Sequence, residues 1–323
     1  MKIMTATAMV ILMMGASIAH AQVQYPSKPV RLVIGFGPSS AADIIARVLA
    51  PKVQEAWPNG LVIDIKAGAA GLPATQDVAR SAPDGYSLLL AANSQISLPP
   101  ATNRNFPVGL LRELVPITEV ANADLSFAVS AEHVPAKSIA EYLAWLKGRP
   151  SLFIGDFGAG SITDLTGAYF VNLNKLKYEP VHFKSTADVW TGNFRGDVQG
   201  MFFATGTVVP NHKAGKMRVL ATTGTARAGS LPDVPTFREL GMGELEVMPW
   251  YGMLATSKTP PELLDRINAV FAQASRSPAV RSKLEEIGFK STGTSRTEFA
   301  RIIEEDTARW IKVAKAIGFV ATD

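Results

Sequence analysis

The chain has 323 residues, of which 47% are hydrophobic, and a formal net charge of +4 from 32 Lys and Arg against 28 Asp and Glu. No basic run and no basic stripe interleaved with aromatics is present, which argues against nucleic acid as a partner; so weak a positive balance only mildly favours the approach of an acidic small molecule. Cysteine is absent, which excludes disulfides, thiolate chemistry and a cysteine-linked lipid anchor.

Residues 1–21 read as a secretory signal peptide. Lys2 gives a short basic start, 6–18 is an apolar run, and Ala19-His20-Ala21 is a small-x-small cleavage pattern ahead of Gln22. The run is too short for a membrane span. Export without cysteine points to a bacterial periplasm. Taking 21 residues from 323 leaves 302, enough for two ordinary domains.

The first expected strand is 30–35. It leads into Phe36-Gly37-Pro38-Ser39-Ser40-Ala41-Ala42-Asp43 and then a helical pattern over 43–57, which Pro51 should kink or split. Strands follow at 61–65, 86–91, 115–120 and 125–129, and a helix at 138–147. The strand at 152–154 leads into Phe157-Gly158-Ala159-Gly160-Ser161-Ile162-Thr163-Asp164. Further strands are expected at 178–183, 198–203, 217–222 and 247–255, then helices at 262–274 and 296–317. Strands alternating with helices indicate an α/β fold with mostly parallel sheets. Crossings between lobes are expected near 122–125 and 246–250. They would divide the chain into a first lobe of 22–123 plus 250–323 and a second of 124–249, hinged at two passes.

The two loops share the pattern F-G-x-x-S-x-x-D, 121 positions apart. S-x-x-D is a capping-box signature: the hydroxyl accepts from free N–H groups of the first turn and the carboxylate reaches back. The same helix end is a seat for an anion. One copy in each half suggests two lips closing on one anionic ligand. Ser39, Ser40, Ser161 and Thr163 are candidate hydroxyl donors, though capping alone is the simpler role for any single one. Backbone N–H groups of Ala41, Ala42, Ile162 and Thr163 would complete the seat, with Gly158, Ala159 and Gly160 in the second lip. Asp43 and Asp164 are expected to fold back as capping partners; the alternative is that Asp164 faces the ligand and selects an amide, hydroxyl or ammonium. Asn93 and Ser94 lie beyond a strand's carboxyl end, where open α/β sheets bind ligands, against ordinary turn chemistry. Phe183, Lys184, Phe203 and Ala204 occupy comparable strand ends. Phe36 and Phe157 would wall the apolar part of the pocket. Trp190, Trp250 and Trp310 read as core.

These loops sit within a longer series: Tyr25-Pro26-Ser27-Lys28-Pro29-Val30-Arg31, Ala82-Pro83-Asp84-Gly85-Tyr86, Pro135-Ala136-Lys137-Ser138, Lys213-Ala214-Gly215-Lys216-Met217-Arg218, Leu231-Pro232-Asp233-Val234-Pro235-Thr236 and Trp250-Tyr251-Gly252. In that order the series resembles the Bug family of periplasmic solute receptors of tripartite tricarboxylate transporters. The resemblance implies a two-lobed periplasmic-binding-protein (Venus-flytrap, type II) fold, no catalysis and no cofactor or metal. It also implies a small organic acid held between the lobes, and the membrane components of such a transporter as partners. A monomer is expected. This chain departs from the family at four places, one of them Ile65-Lys66-Ala67-Gly68-Ala69-Ala70-Gly71 where Asn-Arg-Pro-Gly-Ala-Gly-Gly is often found. Pro38-Ser39-Ser40 replaces Pro-Gly-Gly, Asp164 stands where His is common, and Val198-Gln199 replaces Val-Asp, so ligand identity does not carry over.

Two other readings remain at this point. An exported small-molecule enzyme would need catalytic groups. Beyond residue 21 the histidines are His133, His182 and His212 with no close pairing, and neither G-x-S-x-G nor H-E-x-x-H occurs. Gly35-x-Gly37-x-x-Ser40 is an imperfect dinucleotide loop. A receptor that hands its closed form to a sensor kinase would present the same residues.

Overall fold

The structure is a computed structural model and describes residues 25–38, 40–149, 151–183 and 186–321. The expected signal peptide, Ser39 and Lys184 lie outside the described residues. No helix among the described residues is long and apolar enough to cross a membrane. The strands are β1 (Val30–Ile34), β2 (Leu61–Ile65), β3 (Ser87–Ala92), β4 (Leu114–Asn122), β5 (Leu125–Ser130), β6 (Leu152–Asp156), β7 (Tyr178–His182), β8 (Gly200–Ala204), β9 (Met217–Thr222), β10 (Trp250–Thr256) and β11 (Lys290–Ser291). The helices are α1 (Ala41–Ala56), α2 (Leu72–Ala79), α3 (Asn93–Ile96), α4 (Pro99–Thr102), α5 (Ile139–Leu146), α6 (Ile162–Leu173), α7 (Thr186–Arg195), α8 (Thr205–Lys213), α9 (Pro261–Arg276), α10 (Pro278–Glu286) and α11 (Arg296–Ile317).

Two mixed sheets form the two lobes, in the orders β11-β4-β10-β3-β1-β2 and β7-β6-β8-β5-β9. β1 runs parallel to β2 and β3, and β6 runs parallel to β7 and β8. The reversed strands have a topological cause. β5 enters the second sheet straight from β4 of the first, and β10 enters the first sheet on the chain's return. Each therefore starts at the edge where its neighbours end, and pairs antiparallel with β8 or β3. The two passes lie side by side: Ala123 N–H donates to Pro249 C=O (3.0 Å), and Trp250 pairs with Asn122. Thr223 ties the ribbon on its other side, its Oγ1 donating to Val247 C=O (2.5 Å) and accepting from Leu125 N–H (2.8 Å).

α1 runs unbroken through Pro51, contrary to a split there. Leu49 and Val53 flank the proline fully buried in the first-lobe core, so packing holds both turns across the missing hydrogen bond. α11 is shared between cores. Phe299, Ile302 and Ile303 pack with Val33, Leu89 and Trp250. Three turns on, Trp310 and Val313 are buried with Phe127, Phe170, Phe202 and Phe237 of the second lobe. At about 1.5 Å per residue the helix spans on the order of 30 Å, which covers both.

β4 carries Glu119, 4% exposed, whose carboxylate accepts from Asn122 Nδ2 (2.9 Å). Burial pushes its pKa up to about 7, with Glu298 adding repulsion. The folded state thus prefers the protonated acid. The stability this gives is fully present below the unfolded pKa of about 4.3 and is lost as pH rises towards 7. Glu119→Gln is expected to stabilise the protein by on the order of 2–3 kcal/mol at pH 8 and by little at pH 4.5, as read from denaturant midpoints at the two pH values; an equal effect at both would refute the assignment.

Candidate functional site

Both loops begin as the sequence pattern requires. Ser40 caps α1 from extended backbone (φ −67°, ψ 160°), its Oγ accepting from Asp43 N–H (3.3 Å). Ser161 caps α6 with nearly the same angles (φ −69°, ψ 160°), accepting from Asp164 N–H (3.2 Å). A serine that caps by accepting retains its own O–H for donation. Helix geometry leaves the N–H groups of Ala41, Ala42, Ile162 and Thr163 without intrahelical acceptors. Ser40 needs no positive φ, so a serine fits where the resembling family has glycine. The second lip does need glycine, because Gly158 and Gly160 sit at φ +117° and +76°.

Both acids are buried at their helix starts. Asp164 folds back as a capping partner, its Oδ2 accepting from Gly160 N–H (2.8 Å); it also lines a cavity of about 250 Å³ with Tyr178, Ile317 and Phe319. Asp43, 3% exposed, accepts from Arg47 Nε one turn along α1 (2.9 Å). Burial pushes the Asp164 carboxyl above its ordinary range; Gly160 N–H opposes the rise and Asp156 adds to it.

Strand register puts both lips on the crossing side of their sheets. In the second lobe the carboxyl end of β8 lies beside the start of β5, with Ala204 opposite Leu125, and β6 runs parallel to β8. In the first lobe the carboxyl end of β3 lies beside the start of β10, with Ala92 opposite Tyr251, and β1 runs parallel to β3. Since β5 and β10 both begin at the crossings, Phe36–Pro38, Ser40–Asp43, Asn93–Ser94, Phe157–Asp164 and Phe203–Ala204 all lie on the crossing side of their sheets. The second lip reaches the first lobe: a Cβ on Gly160 would lie 3.2 Å from Thr102 Cβ of α4 and 3.1 Å from Phe319.

The remaining candidates fall into two groups. Asn93 is 2% exposed; with Ser97 it faces Asp306 of α11, whose carboxylate accepts from Trp250 Nε1 (2.9 Å). Ser94 and Phe36 are half-buried, and Phe36 packs on the first-lobe core. Ala204 is the N-cap residue of α8. Phe203 is 3% exposed and lies between Phe157 (4.7 Å) and Trp190 (4.5 Å). Phe183 seats its ring against Gly155 and Gly192, where a Cβ on either would come within 3.2 Å of it. Trp250 and Trp310 are core, at 1% and 0% exposure.

One group was not foreseen. Asp156, 1% exposed, accepts from Gly158 N–H (2.6 Å), and His182 Nδ1 lies 2.6 Å from the same oxygen. The two residues are 26 positions apart in the sequence. The pair forms because β6 and β7 run parallel with Asp156 opposite His182, a register the sequence does not carry. The Asx-turn spacing of Asp156 to Gly158 was a usable signal. Burial pushes Asp156 up, opposed by Gly158 and His182. No group of three or more His, Cys, Asp or Glu able to hold a metal occurs among the described residues.

The family described as tripartite tricarboxylate transporter family receptor matches residues 45–319. A UPF0065 protein of Bordetella bronchiseptica is 29% identical over 302 residues, 93% of this chain and 89% of that protein. BugT of Bordetella pertussis is 27% identical, covering 91% of this chain and 90% of that one. Among solved structures, R. palustris Rpa4515 with adipate superposes at a TM-score of 0.80 with 27% identity, over 92% of this chain and all of that one. The periplasmic binding protein BugD superposes at 0.74 with 24% identity, over 92% of this chain and all of that one, a likeness of fold.

Proposed function

The chain belongs to the tripartite tricarboxylate transporter receptor family, and from this we propose that it captures a small carboxylate-bearing compound between its lobes and delivers it to the membrane components of such a transporter. It is a solute receptor and not an enzyme. Residues 1–21 would direct export to the periplasm, with lobes at 22–123 plus 250–323 and at 124–249. The observation that carries the reading is the matched pair of serine-capped helix starts on the crossing side of the two sheets. The similar R. palustris protein, solved with adipate, supports an organic acid as the ligand class.

In this reading a carboxylate docks on Ser39, Ser40 and the N–H groups of Ala41 and Ala42, and Gly158–Thr163 closes over it. Contacts made only when closed shift the population towards the closed form. Micromolar affinity corresponds to about 8 kcal/mol, within reach of a few charge-assisted hydrogen bonds and apolar burial. The test is a thermal-shift screen of organic acids followed by titration calorimetry. Ser161→Ala is expected to weaken the best acid by about 1–2 kcal/mol with the heat of binding retained. If no acid raises the melting temperature in a concentration-dependent way, the reading is wrong.

A further inference from the structure

We infer that the acid this receptor takes has an aromatic body, with Phe157 as the residue that selects it; the inference rests on the receptor reading above. Three strands of the second lobe end at the crossing side in phenylalanine: Phe157 after β6, Phe183 after β7 and Phe203 in β8. Two of them stack into one group of rings with Trp190. Phe203 lies between Phe157 and Trp190, at centroid distances of 4.7 and 4.5 Å and interplanar angles of 58° and 38°. Gly155 and Gly192 clear the space in which Phe183 lies. Phe203 is buried, yet Phe157 keeps 40% of its surface in water, although it belongs to the lip that would close over the ligand.

Two physical arguments make the occupant a ring. The phenylalanine side chains offer no hydrogen-bond partner, so a hydroxyl or second polar group of a short hydroxy acid pressed on them would be buried unsatisfied. An aromatic body has no such cost, and tilted ring pairs at these separations attract beyond the area they bury, which an alkyl chain of equal area does not reproduce. The carboxylate stays with the N–H groups and hydroxyls of the helix starts, and the ring lies on Phe157.

The experiment compares benzoate and terephthalate with adipate and malate by calorimetry on the full chain beyond residue 21, in the native protein and in Phe157→Ala and Phe157→Leu. An aromatic acid is expected to bind at least tenfold more tightly than adipate. Phe157→Ala should erase that preference, and Phe157→Leu, which restores apolar area without a ring, should leave it mostly lost. Phe157 is surface-exposed, so folding is checked by an unchanged melting temperature without ligand. Adipate or malate binding as tightly as the aromatic acids, or Phe157→Ala weakening all acids equally, overturns the ring specificity and leaves the receptor reading standing. Binding of none of these acids, nor of any other, overturns both.

Discussion

Replacing Gly206 by alanine is expected to weaken ligand binding ten- to a hundredfold while leaving the stability of each lobe intact. Gly206 lies in the first turn of α8 in the second lobe, and Gly288 follows α10 in the first. A Cβ on Gly206 would sit 2.4 Å from Gly288 Cα and 2.7 Å from Ile287 O. Backbone lies on both sides, so no side chain can swing away, and the added methyl acts as a wedge between the lobes. Overpacking of this kind costs about 1–3 kcal/mol, which converts to that range of affinity. Gly206 itself is not at a positive φ, so alanine suits its helix and should favour it by up to about 1 kcal/mol. The nearby ion pair of Lys290 with Asp124 (3.3 Å) marks the same edge as an interlobe pivot. Calorimetry with the acid that most raises the native melting temperature gives the affinity, and small-angle scattering gives the change in lobe separation. Native affinity and native dimensions in the variant would mean that the two glycines do not set the closed geometry.

Trp310→Ala is expected to cost about 3–5 kcal/mol of stability, the range for removing a fully buried large aromatic. Trp310 has no exposed surface and belongs to the buried cluster that holds Phe127, Phe170 and Phe237. Its Nε1 is buried and has no hydrogen-bond partner among the described residues. Trp310→Phe therefore discards an unsatisfied donor along with the area, and should cost less than half as much. Urea midpoints for the two variants check both values; a loss below 1 kcal/mol for alanine would show that α11 does not hold the second lobe.

The parts of the molecule legible in its sequence are those written in local chemistry. Ser40 and Ser161 were readable because a helix start must satisfy free N–H groups, and a serine three residues before an acid does this wherever the helix goes. Asp164 turned back on Gly160 as that chemistry requires. Asp43 takes a charged partner, Arg47, one turn further on, which the capping pattern does not announce. What depends on strand order was not legible. The pairing of Asp156 with His182 needs the parallel register of β6 and β7. β11 is two residues long and exists only because β4 offers Asn122 and Ala121 as partners. The exposure of Phe157 against the burial of Phe203 is likewise invisible in two phenylalanines at similar strand ends.

The sharing of α11 bears on how such receptors diversify. Its amino-terminal turns complete one core and its carboxyl-terminal turns the other, so the interior of the second lobe is finished by a helix that the first supplies. A chimera exchanging one lobe between two relatives would force half of a helix into surroundings to which its side chains are not fitted. Change in what is bound is then easier through single replacements at the strand-end loops than through exchange of a whole lobe.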